Sequence, residues 1–173
     1  MAVSLYDLSV VNFLQTLGGV EGFLARGLAH LKEKNIDPNE IVETHLFPDM
    51  LPFRFQVLAV TAHSIGAMRG VKAGLFAPPA QLPPLDYVGL QKAVTDAREA
   101  LQQLTPAEVN GFEGKDMVFQ IRDTKMPFTA ESFLQSFSLP NFYFHATTAY
   151  DILRTKGVPL GKRDFLGKLR LKR

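Results

Sequence analysis

Cysteine is absent from the 173-residue chain, which removes disulfides, thiolate metal ligands and a thiol nucleophile. Any metal site has to be built from histidine, carboxylate or amide. Net charge is nearly absent too: 19 Lys and Arg against 17 Asp and Glu leave +2, which gives no overall electrostatic case for nucleic acid. No stretch approaches the roughly 20 apolar residues of a membrane span, and Met1 to Val10 lacks a basic segment followed by an apolar run. The expectation is a cytoplasmic protein with no membrane contact. Internal repeats, low-complexity tracts, a Ser-His-Asp set, a glycine-rich phosphate loop and a paired-carboxylate motif are also missing.

What is present is a soluble composition, 46% hydrophobic and 21% charged, in a chain of a length that closes around a single core. One domain over residues 1–173 is expected. Ser4 and Asp7 make a helix start, after which Phe13, Leu17, Val20, Leu24, Leu28 and Leu31 recur at helical spacing. Gly18-Gly19 in the middle of that helix costs about 1 kcal/mol per glycine relative to alanine. Either close approach of another helix, in this chain or in a second subunit, offsets the cost, or the helix kinks there. A short helix follows Asp37-Pro38, Pro48 and Pro52 interrupt it, and a longer one runs from about Pro52 to Gly70 with Gln56, Val60, His63 and Ala67 on one stripe.

Gly74 to Pro84 holds four prolines in eleven residues and reads as an irregular crossover. Tyr87, Leu90, Val94, Ala97, Leu101 and Leu104 then form the cleanest amphipathic helix in the chain. From Lys115 to Arg122 the period changes to two, and a turn at Asp123-Thr124 predicts a small hairpin returning along Lys125 to Thr129. The last helix opens at Pro140 and stops at Gly157 before Pro159. It carries Asn141 and His145 one turn apart beside an apolar stripe of Phe142, Ala146, Ala149 and Leu153.

These elements make an all-α fold in the main: a four-helix bundle with one long crossover and a small β-hairpin before the last helix. The segments PNFYFHATTAYDILRTKGV (140–158), Gly161-Lys162-Arg163-Asp164-Phe165-Leu166-Gly167 and Pro48-Asp49-Met50-Leu51-Pro52 resemble a bacterial and fungal domain-of-unknown-function family within the DinB/YfiT-like metalloenzyme superfamily. That resemblance implies a bundle, often dimeric, whose metal is held by one histidine of the second long helix and an H-x-x-x-H pair of the last; some members are thiol-dependent transferases. Aligned from Leu153-Arg154, the chain places His145 on the second histidine of the pair and Asn141 on the first. Counting back from Gly70 brings Gln56 to the remaining position.

A neutral amide oxygen is a poor donor for the transition metals that imidazole binds well. No metal cofactor is therefore expected, and the first reading is a small-molecule pocket lined by Gln56, Asn141 and His145. The alternatives are a metal-dependent enzyme, such as a thiol or small-substrate transferase, holding Zn or Ni through His145 and His63, and a non-catalytic homodimer joined through Gly18-Gly19. His63 on its own reads as a packed residue, His45 and Asp49 as loop residues with Asp49 capping the second long helix, His30 as a helix-end residue. Tyr143 and Tyr150 read as packing residues with polar tips at the surface. The tail from Lys162 holds six basic residues and one acid with Phe165, Leu166, Leu169 and Leu171 interspersed, and reads as a strap that packs its apolar side chains, with no nucleic-acid partner.

Overall fold

The computed structural model describes residues 3–78 and 81–172. Helix α1 (Leu5–Leu8) is closed at its start by Ser4 and Asp7 in the expected reciprocal cap. The chain bends at Ser9 and continues as α2 (Val10–Glu33). After α3 (Asn39–Val42) come α4 (Phe53–Thr61), a wide π turn (Ala62–Gly66) and α5 (Ala67–Ala73), which together form the second long helix. Helix α6 (Tyr87–Gln102) is capped by Asp86 and the short α7 (Pro106–Asn110) by Thr105. Helix α8 (Ala130–Phe133), a second π turn (Leu134–Ser138) and α9 (Leu139–Thr155) form the last long helix, and α10 (Lys162–Leu166) follows. Helix α2 packs on α6 and α9, and α4 packs on the same two, so the four surround one core.

The packing follows the apolar stripes. Phe13, Leu17, Val20, Leu24 and Leu31 of α2 are buried with Leu90, Val94, Ala97 and Leu101 of α6 and with Phe142, Ala146, Ala149 and Leu153 of α9. Phe13 meets Phe142 edge to face at 4.9 Å between centroids, a geometry that adds to area burial. Helix α2 is also apolar enough to correct the expectation that no stretch resembles a span. By length and composition Leu5–Glu33 meets that test, with half of its most apolar window buried inside the bundle, as the core helix of a bundle requires.

Four further expectations are revised. The crossover is not wholly irregular: Leu75–Phe76 forms strand β1, which pairs in parallel with β2 (Asp116–Ile121), itself antiparallel to β3 (Thr124–Thr129). The hairpin becomes a three-stranded sheet, turning at Arg122-Asp123 with Arg122 at φ 52°. The last long helix starts at Ala130 under a Thr129 cap, well before Pro140. Proline offers no N–H and needs room for its ring, and the wide turn ending at Ser138 lets the helix pass through it. Asp49 caps nothing; Pro52 stands at the head of α4 without a side-chain cap.

Gly18-Gly19 does not kink α2, which is continuous. A Cβ on Gly19 would run into the carbonyl oxygen of Phe165, and one on Gly167, at φ 62°, would lie 2.7 Å from the carbonyl of Gln15. The glycine therefore admits the backbone of this chain's own C-terminal segment, and the reason for placing a second subunit there disappears. Arg26 pairs with Asp164, Gln15 donates to the Leu166 carbonyl at 3.1 Å, and Arg170 reaches Asn12 and Gln15. Phe165 packs on Tyr150. Leu166, Leu169 and Leu171 remain exposed, so of the apolar side chains in the strap expected from the sequence only Phe165 packs on the core.

Candidate functional site

The site forms where α4 and its π turn face α9. Gln56 is almost fully buried and donates through Nε2 to the Leu51 carbonyl at 2.7 Å. Its Oε1 then faces His145 Nδ1 at 2.8 Å. An amide oxygen only accepts, so Nδ1 of His145 carries the proton and Nε2 keeps the lone pair. The short stretch before α4 thus fixes Gln56, and Gln56 fixes the tautomer of His145 from the opposite helix.

His63 lies beside this pair. Its ring is nearly parallel to that of His145, 5.8 Å between centroids and 16° between planes. Phe76 and Phe137 contact His63, both at 5.6 Å, while Phe55 and Phe144 stand edge-on to His145 at 5.6 and 5.3 Å. The register is set by the two π turns. In the first, the Ser64 hydroxyl donates to the Val60 carbonyl at 2.8 Å, competing with the backbone ladder. Between them, the fully buried Ser138 donates to the His63 carbonyl at 2.8 Å. Single wide turns of this kind recur at functional sites because they re-aim side chains without ending the helix.

Burial lowers both histidines from an ordinary 6.5 to about 4, and for His63 the neighbouring His145 adds to the effect. Both rings are neutral at pH 7. Nδ1 of His63 is buried without a partner among the described residues. Beside His63 opens a cavity of about 110 Å³, lined by Phe55, Leu58, Ala59, Ala62, Phe76, Phe119 and Phe137 with Pro78 and Leu82 of the crossover.

Of the residues expected at the site, Gln56 and His145 come together. Asn141 is not joined to them by a hydrogen bond among the described residues; its Nδ2 donates to the Phe137 carbonyl at 2.7 Å within its own helix. His63, read from the sequence as a packed residue or a substitute ligand, instead stacks on His145 and lines the cavity. Its place on the Gln56 stripe was the available signal, but the wide turn that brings it round was not visible. Phe76 and Phe119 come from strands, and their convergence on the cavity beside His63 has no local signature. His45 is exposed and bonds the Met50 carbonyl. Tyr143 is half exposed, and Tyr150 packs on Phe23 and Phe165.

The donor set does not fit a transition metal. Gln56 Oε1 is engaged by an N–H, the Asn141 amide is bonded to its own helix, and no group of three His, Asp or Glu side chains converges among the described residues. That leaves two imidazoles, short of the ligands a zinc site uses.

The architecture is that of the DinB-like bundles. A crystal structure of a DinB family member protein from Shewanella denitrificans, at 1.83 Å, superposes with a TM-score of 0.81 at 25% identity, covering 98% of this chain and 95% of that one. More narrowly, residues 5–166 match the family described as Domain of unknown function (DUF1993), and the chain belongs to that family. Comparison with curated proteins gives no match.

Proposed function

We propose that the protein is a small-molecule-binding bundle whose site is the cavity against His63, backed by His145 and Gln56. The observation that carries this reading is a neutral histidine, its buried Nδ1 unpartnered among the described residues, standing as the one polar side chain among the described residues that line an otherwise apolar cavity. Buried polar groups are normally paired, and pockets that bind small molecules are mostly apolar with a few placed polar groups. The neutral imidazole of His63 can exchange a hydrogen bond with a ligand in the cavity, and binding is the activity proposed.

A thermal-shift screen of small molecules tests this with wild type, Ala59→Phe, which fills the cavity from its wall, and His145→Phe. Ligands are expected to raise the wild-type Tm and to leave Ala59→Phe unmoved, with His145→Phe giving intermediate shifts. Finding no ligand, or equal shifts in wild type and Ala59→Phe, would sink the reading. Retention of about one equivalent of Zn²⁺ or Ni²⁺ by untagged, reconstituted protein would replace it with a metal-dependent one.

A further inference from the structure

We infer that the cavity takes a neutral molecule about the size of one six-membered ring, carrying one hydrogen-bonding head, such as a hydroxyl, that pairs with His63. This rests on the reading of the cavity as a binding site and adds the class of ligand. Size comes from volume: the space is about 110 Å³ and partly open to solvent, so although it is smaller than the engineered apolar cavity of about 150 Å³ that holds benzene, a ring can seat in it with a substituent at the mouth. A single ring or a branched chain of similar bulk fills the space.

Neutrality comes from the walls. Among the described residues lining the cavity, nine are apolar and His63 is the one polar side chain. A carboxylate or phosphate brought here would lose its water and find no cation, which is costly. An ammonium group would likewise find no carboxylate. The aromatic walls formed by Phe55, Phe76, Phe119 and Phe137 suit a flat ring in edge or offset contact.

The head follows from the way His63 is held. Its carbonyl is tied to Ser138, its ring is gripped by Phe76 and Phe137, and its Nδ1 is sealed without a partner. A neutral imidazole has one N–H, and that proton belongs on the nitrogen that can find an acceptor. With Nδ1 sealed, that leaves Nε2, which has no hydrogen bond within the described residues. His63 therefore offers a donor, which a hydroxyl or carbonyl oxygen accepts.

Toluene, phenol and benzoate differ in the head alone and test each part by NMR titration at neutral pH, against wild type and His63→Phe. Phenol is expected to bind wild type about tenfold tighter than toluene, the effect of one added hydrogen bond. Benzoate is expected to show no saturable binding, and His63→Phe to remove the preference for phenol. Equal binding of toluene and phenol overturns the proposed head while leaving the cavity reading intact; benzoate binding tighter than phenol overturns neutrality. If none of the three binds wild type, the cavity reading falls and this inference with it. Should His63→Phe fail to fold, the ¹⁵N shift of His63 in wild type decides: no change on saturation with phenol overturns the pairing.

Discussion

Two contacts of this bundle are built in opposite ways. Where α10 crosses α2, side chains are removed: Gly19 and Gly167 let backbone lie on backbone, and the contact is closed. Where the π turns of α4 and α9 face each other, side chains are large and aromatic, and they leave a cavity around an imidazole. The first contact stabilises by close approach with its polar groups on the rim. The second keeps a polar group on the wall of an apolar space. Packing is finished in one region and deliberately incomplete in the other, so substitutions at each are expected to read out differently.

The largest effect is expected at the closed contact. Gly19→Val places atoms against the Phe165 carbonyl, a backbone atom that cannot swing aside, and should cost about 3 kcal/mol, seen as a lower midpoint in urea together with faster proteolysis after Leu160. If the urea midpoint does not move, the contact is not as tight as described. At the open contact, Gln56→Leu leaves the His145 Nδ1 proton and the Leu51 carbonyl without partners and should cost about 2 kcal/mol. Gln56→Glu should instead raise the His145 pKa, a shift visible by NMR titration, because a carboxylate favours the charged imidazole.

Acid should also act on the open region. Both histidines have folded pKa values below their unfolded ones, so the unfolded chain takes up the extra protons between pH 6.5 and about 4. Their contribution is complete above pH 6.5 and is lost as pH falls through that window, about 1–2 kcal/mol after allowing for partial exposure. A double His63→Phe, His145→Phe protein that unfolds with the same pH slope as wild type would contradict the assignment. Ser138→Ala removes the one hydroxyl on the His63 carbonyl and should cost about 1 kcal/mol while weakening ligand-induced shifts. The smallest effect has the opposite sign: a Cβ on Gly22 meets nothing within 4 Å, so Gly22→Ala should stabilise α2 by up to about 1 kcal/mol, a gain measurable by chemical denaturation and absent in Gly19→Val.

Much of the frame was legible because it rests on local rules. The stripe of α6, the caps at Ser4 and Thr105, and the alternation through Met117 and Phe119 each announce an element from within a few residues. Half of the site was legible too: Gln56 and His145 face each other because both lie on stripes next to the core. Asn141 was assigned to the same group by spacing, yet its amide found the Phe137 carbonyl one turn back, a local option open to any such residue on a helix. His63 escaped because its partners arrive from a strand after the second long helix, a hairpin and a wide turn.

By itself the sequence determined the helices, their apolar faces and hence the bundle, since periodicity and capping act over one or two turns. It also determined the chemistry on offer, two imidazoles and an amide with no thiol. Only the tertiary structure decided that Gly19 receives the chain's own C-terminal segment, that β1 joins the hairpin, and that His63 rather than Asn141 stands beside His145. These outcomes depend on contacts between distant segments and on the two wide turns that set their register, and no local pattern encodes where such segments meet.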